Sequence, residues 1–250
     1  TVRDRDANEM ACDLYREIVR RTVHDAELAE RLSPRNLPIG CKRPVIDAGW
    51  YDTFNLPHVS LVSLRSEPIL RFETDGIRTS ERFIPLDAVV LAIGFDAMTG
   101  ALDRIDIRGR GDRVLREEWR DGPRTYLGLQ VEGFPNLFTV TGPGSPSVLS
   151  NMIVGIEHHI EWIVGCLIEL RRRGATTIEP SVAAQEAWVE HVRSVAQGTM
   201  FVDQSCNSWY LGVNVPGKPR VFLPYVGGFD RYVREVSRIV EDDYEGFLVD

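Results

Sequence analysis

Three observations predict an α/β fold. Short, uninterrupted apolar runs end in or near glycine at residues 87–93 and 137–140, the pattern of strands buried on both faces, as in a parallel sheet. Apolar residues recur at helical spacing elsewhere, most clearly over residues 150–173. The 250 residues are 43% hydrophobic and 26% charged, which is enough apolar content to bury a sizeable core and excludes disorder. Only 21 Gly and four Cys exclude collagen-like and disulfide-scaffold classes. The formal net charge of −8 argues against a non-specific nucleic-acid binder, which needs a positive footprint.

Each element follows from its own residues. From about residue 8 to 32, Met10, Leu14, Ile18, Val19 and Val23 recur at helical spacing, predicting one amphipathic helix closed by Ser33-Pro34. Leu37-Pro38-Ile39-Gly40 reads as a loop leading to the basic pair Lys42-Arg43. Residues 59–72 suggest short strands, with Thr74-Asp75-Gly76 as a hairpin turn. Residues 137–140 run as a short buried strand into Gly142-Pro143-Gly144. The helix at 150–173 has Ser150 or Asn151 as cap, Arg171-Arg172-Arg173 in its last turn and Gly174 as its stop. Its stripe Ile153, Ile156, Ile160, Ile163, Leu167 and Leu170 is expected to face the core. Further helices are predicted at 182–195 and around 232–240.

The uncharged stretch 133–156 is broken by Gly133, Pro135, Gly142, Pro143, Gly144 and Pro146, so no membrane-spanning helix is expected there. Cys12, Cys41, Cys166 and Cys206 form no C-x-x-C pair, and free thiols in a reducing cytosol are the expected state. The opening Thr1-Val2-Arg3-Asp4 lacks an initiator Met and a signal-peptide apolar run, as in a processed product or a piece of a longer chain.

Four segments could carry chemistry. The corner at Gly142-Pro143-Gly144 before the long helix suits an anion or an electron-rich ring, because a helix N-terminus offers unpaired N–H groups. It is not a nucleophile elbow, since Pro146 is followed by Ser147 rather than Gly. Lys42-Arg43 can clamp a phosphate, although a solvated face also shows adjacent basic residues. Glu157-His158-His159 with Glu161 could hold a metal at helical spacing, but a polar face with one partly buried His explains it better. Ser208-Trp209 within 207–218 offers an indole for stacking or for the core. No G-x-G-x-x-G occurs, and Gly109-Arg110-Gly111 fails at Val114, so no dinucleotide phosphate nest lies within these residues.

Taken together, Cys41-Lys42-Arg43-Pro44, Tyr51-Asp52-Thr53-Phe54-Asn55, Leu91-Ala92-Ile93-Gly94-Phe95-Asp96-Ala97, Phe134-Pro135-Asn136-Leu137-Phe138 and Asn214-Val215-Pro216-Gly217-Lys218 resemble the flavin-dependent Baeyer–Villiger monooxygenases. Gly144-Ser145-Pro146-Ser147-Val148-Leu149-Ser150-Asn151-Met152 resembles their phenylacetone and steroid monooxygenase branch. The resemblance implies the C-terminal portion of a flavoprotein with two dinucleotide-binding domains, whose glycine motifs and His-containing fingerprint lie upstream. It implies the end of a helical insertion at 1–36, a return to the NADP domain at 37–90, and the FAD domain at 91–250 with a mobile Trp loop at about 195–218.

The implied reaction inserts one oxygen atom from O₂ into a ketone to give an ester or lactone, with FAD and NADPH as cofactors in the cytosol. By that likeness Arg43 would stabilise the anionic oxidant and Lys42 would hold the NADPH 2′-phosphate. Trp209 would contact the nicotinamide cofactor and close the site, and the Met152 amide would contact the flavin. Ser147, Val148 and Leu149 would shape the ketone pocket. One departure is Ile93, where the family's motif has Thr, which removes a hydroxyl. Two alternatives stand beside this reading: an N- or S-oxygenating flavin monooxygenase, and a cofactor-free module or partner subunit formed by the isolated chain.

Overall fold

The computed structural model describes residues 2–35 and 37–250. Thr1, where the expected processed or partial start begins, and Asn36, which ends the predicted segment 1–36, lie outside the described residues. The chain forms two compact units, one built mainly from Asp6–Leu37 and Pro44–Phe95, the other from Val2–Arg5, Pro38–Arg43 and Asp96–Asp250.

In the first unit the predicted single helix is two: α1, Arg5–Thr22, and α2, Ala26–Leu32. The break has a local cause. The Asp25 side chain accepts from Leu28 N–H at 2.9 Å and caps α2. Asn55 bridges the gap, accepting from His24 N–H at 2.9 Å and donating to Thr22 O at 2.8 Å. Val19, Val23, Ala29 and Tyr51 form the small core here, whereas Met10, Leu14 and Ile18 are exposed.

Three antiparallel strands follow: β1, Ile69–Glu73, β2, Gly76–Thr79, and β3, Phe83–Pro85. Glu73 faces Gly76 across the predicted Thr74-Asp75-Gly76 turn, and a Cβ at Gly76 would lie 2.1 Å from Ile84 O. The expected strand character at 59–68 is absent, because Glu67 N–H and Ser66 N–H close a local turn onto Ser63 O at 2.8 and 3.1 Å. The apolar run 87–93 is likewise not a strand. No described segment pairs with its backbone, and Val90 and Ile93 are each 87% exposed.

In the second unit a turn-rich segment carries one short helix, α3, Leu115–Glu118, packed with Trp119, Val131 and Phe134. The strand expected at 137–140 is reduced to one bridge, Phe138 to Gln130. The long helix α4 spans Met152–Arg173, with Asn151 as N-cap and left-handed Gly174 as C-cap. Then come β4, Ile178–Pro180, α5, Val182–Ala196, α6, Phe229–Glu241, and β5, Phe247–Val249, which pairs antiparallel with β4. Every ladder among the described residues is antiparallel, so the expected parallel sheet is not formed among them.

The face that α4 turns inward corrects the sequence reading in part. Leu170 of the predicted stripe is buried and Ile163 packs against the core, but Ile153, Ile156, Ile160 and Leu167 are exposed, and Gly155, His159, Trp162 and Cys166 are buried instead. The inward face meets an aromatic core of Tyr126, Trp188, Tyr225, Tyr232 and Tyr244. No helix among the described residues is long and apolar enough to cross a membrane.

The thiol expectation is also corrected: Cys41 and Cys206 form a disulfide, with Cα atoms 5.4 Å apart, and only Cys12 and Cys166 are free and buried. Spacing along the chain concealed this, because 165 residues separate the two positions.

Candidate functional site

The predicted site residues all lie in the second unit, because the short segment Pro38–Arg43 folds with it. The site is built around the head of α4. A corner at 141–144 precedes it, then a 3-10 turn at Ser147–Leu149, then the Asn151 cap. The corner is tight for internal reasons. A Cβ at Gly142 would sit 2.5 Å from Thr139 Oγ1 and 2.7 Å from Gly128 O, and Gly144 adopts φ +83°.

His159 holds this corner from behind. Its ring is 1% exposed; Nδ1 accepts from Thr141 N–H at 2.9 Å and Nε2 lies 2.8 Å from Tyr232 Oη. Tyr232 spends its hydroxyl proton on Leu127 O at 2.6 Å, so the imidazole is the donor to Tyr232. Both ring nitrogens are thus used by a neutral ring. Burial, with the adjacent His158 acting in the same sense, pulls its pKa down to about 4. No group of three or more His, Cys, Asp or Glu residues among the described residues is placed to hold a metal ion.

The Asn151 side chain accepts from Ile153 N–H at 3.0 Å and from Val154 N–H at 3.5 Å. The Met152 N–H has no hydrogen-bond partner among the described residues and stays available at the positive end of the helix. Ser147 is buried with φ +45°, its hydroxyl 3.4 Å from Met98 Sδ, while Val148 and Leu149 are half-buried.

Arg43 is exposed and reaches this turn, Nη1 donating to Val148 O at 3.4 Å. It also lies near the second turn of interest: burial pushes the Tyr210 phenol up, and the positive charge of Arg43 acts against that shift. Tyr210 belongs to the 3-10 turn Trp209–Leu211, where Ser208 Oγ accepts from Tyr210 N–H at 3.2 Å. The half-buried Trp209 indole packs edge-on to Tyr210, ring centroids 4.5 Å apart. Lys42 is exposed beside Arg43, and neither is neutralised by a carboxylate among the described residues. Lys42, Arg43, the Met152 N–H and the half-buried Trp209 indole are groups that can bind an anion or stack on a flat ring.

A cluster absent from the sequence reading lies at the foot of the same loop. Lys218 pairs with Asp96 and with Asp103 at 3.3 Å, and donates to Thr99 Oγ1 at 2.6 Å. Asp96 and Lys218 each lie in one of the quoted motifs, which was the available signal. They line a cleft of about 260 Å³. A larger cavity of about 710 Å³ lies between Trp188, Val192, Phe222 and Leu223. None of the predicted site residues lines either space.

The chain is 38% identical over 248 residues to the acetone monooxygenase (methyl acetate-forming) of Gordonia sp. (strain TY-5), covering 98% of this chain and 46% of that protein. It is 37% identical to phenazine N-monooxygenase PhzNO1 of Lysobacter antibioticus, covering 98% and 44%. Among solved structures, the oxidised steroid monooxygenase bound to NADP superposes with a TM-score of 0.92 at 46% identity, over 99% of this chain and 46% of that one. The OTEMO complex with FAD and NADP gives 0.92 at 34% identity, over 99% and 45%. The chain is similar to Baeyer–Villiger monooxygenases. It matches their C-terminal part and spans about half the length of the curated relatives it matches. No family model matches the chain. The fold, antiparallel ladders included, matches the C-terminal portion of flavoprotein monooxygenase structures.

Proposed function

We propose that this chain serves an FAD- and NADPH-dependent monooxygenase that converts a ketone, O₂, NADPH and a proton into an ester or lactone, NADP⁺ and water. The observation that carries the reading is Arg43, an un-neutralised guanidinium held 3.4 Å from Val148 O at the turn before α4. A guanidinium keeps its proton at any working pH, so it can face an anionic oxidant without quenching it. When bound, FAD passes the electrons of NADPH to O₂, and the residues of this chain do the holding. Lys42 binds the 2′-phosphate of NADPH as a point charge. Trp209 stacks on the nicotinamide cofactor and shuts out water. The Met152 N–H donates to the flavin, and Ser147, Val148 and Leu149 shape the ketone pocket.

In this reading residues 1–36 end a helical insertion, 37–90 belong to the NADP domain and 91–250, with the Trp loop at 195–218, to the FAD domain. The protein acts in the cytosol, where NADPH is supplied. Its partners are a small ketone, O₂ and the upstream half of the enzyme. The test is Arg43→Ala in the flavin-loaded, full-length protein. Flavin reduction by NADPH should persist while ester formation falls about 100- to 1,000-fold. Retained ester formation rejects the assignment.

A second reading, oxygenation of a ring nitrogen, is supported by the likeness to the phenazine N-monooxygenase. Turnover of a phenazine in preference to any ketone would select it.

A further inference from the structure

The disulfide joins the two segments that the proposed function needs together. Cys41 immediately precedes Lys42-Arg43, and Cys206 lies three residues before Trp209. Both cysteines are buried. The Cys206 side is a braced post: Arg220 Nη2 donates to Asp203 O at 2.8 Å and to Cys206 O at 3.0 Å. The Asp203 carboxylate in turn accepts from Ser205 N–H at 2.9 Å and Ser205 Oγ at 2.6 Å, and pairs with Arg5 at 2.6 Å. These hydrogen bonds hold its pKa down to about 2, so the brace is charged throughout the working range.

The Cys41 side is a short hook. Gly40 turns the chain with φ +94°, and Cys41 N–H closes the turn onto Pro38 O at 3.2 Å. On both sides the chain runs directly into the other compact unit. Consecutive Cα atoms are about 3.8 Å apart, so Arg43 stays within two such steps of Cys41, whose Cα is 5.4 Å from that of Cys206.

We infer that the Cys41–Cys206 disulfide is a positioning tie that holds the Lys42-Arg43 segment against the base of the Trp209 loop, so that NADPH handling depends on the redox state of this pair. The inference rests on the proposed function. A disulfide in a reducing compartment is of the redox-responsive kind. A dithiol breaks the S–S bond by giving it two electrons and two protons, leaving thiols at 41 and 206 and itself becoming a disulfide. Hydrogen peroxide reverses this, taking two electrons from the thiols and leaving as two waters.

The experiment uses the full-length, FAD-loaded protein, oxidised, then treated with dithiothreitol and freed of reductant. Alkylation before and after reduction, read by mass, verifies the state of both cysteines. Reduction is expected to raise KM for NADPH at least threefold with kcat at saturating NADPH little changed, and to lower ester formed per NADPH. Peroxide restores both. The C41S/C206S variant should sit at the reduced values and ignore both reagents; should it fail to fold, the wild-type cycle carries the test. Equal KM and equal coupling in verified oxidised and reduced protein overturn the tie, as does alkylation of both cysteines without reduction. If neither form oxidises NADPH, the functional reading has failed instead. Limited proteolysis then decides the tie: several-fold faster cleavage within 200–218 on reduction supports it, and unchanged cleavage overturns it.

Discussion

His159→Gln tests the link between the core of α4 and the corner in front of it. A glutamine at this position can still accept from Thr141 N–H and donate to Tyr232 Oη, but it does not titrate. In the folded protein the imidazole stays neutral until about pH 4. An unfolded histidine takes up its proton near pH 6.5. Above that pH the ring's contribution to stability is fully present. It is lost as pH falls through the window down to the folded value, because the unfolded state binds the proton first. A gap of that size corresponds to about 3 kcal/mol. The assay is urea unfolding followed by tryptophan fluorescence at several pH values between 7.5 and 4. Carboxylates that titrate in both proteins cancel in the difference. The wild type should therefore lose about 3 kcal/mol more than His159→Gln across the window. Parallel stability curves for the two proteins would refute the assignment of a neutral, buried His159.

Two further outcomes follow from the same geometry. Lys42→Ala should raise KM for NADPH roughly 10- to 100-fold while leaving NADH little affected, as measured by steady-state cofactor oxidation; equal losses for both show that Lys42 does not read the 2′-phosphate. Asn151→Ala removes the side-chain acceptor of Ile153 N–H and Val154 N–H and should cost about 1 kcal/mol in urea unfolding, with a flavin-binding defect if the head of α4 moves.

Much of the long helix was legible in the residues. Asn151, Gly174 and the arginines of the last turn mark both ends of α4, since caps and charges act locally and need no tertiary context. Its orientation was legible only in part. Ile163 and Leu170 of the predicted stripe do meet the core, yet the core also takes Gly155, His159, Trp162 and Cys166, and the His159–Tyr232 hydrogen bond lies on that inward face. The run 87–93 has a strand's composition but finds no pairing partner among the described residues, and composition supplies no partner.

At the site, Arg43, Trp209 and the 147–149 turn were named from motifs, and a hydrogen bond joins Arg43 to the 147–149 turn. The disulfide and the Lys218 cluster escaped because each joins residues more than a hundred positions apart. Such pairings are properties of the folded chain, and membership of Asp96 and Lys218 in quoted motifs named the residues but not their pairing.

The central claim is that the residues around Arg43 serve insertion of an oxygen atom from O₂ into a ketone. Turnover of a methyl ketone by the full-length, FAD-loaded protein with NADPH under ¹⁸O₂ tests it directly. One labelled atom in the bridging position of the ester for each NADPH consumed is the predicted result. Consumption of NADPH with the label appearing only in peroxide or water, and no labelled ester, would contradict it.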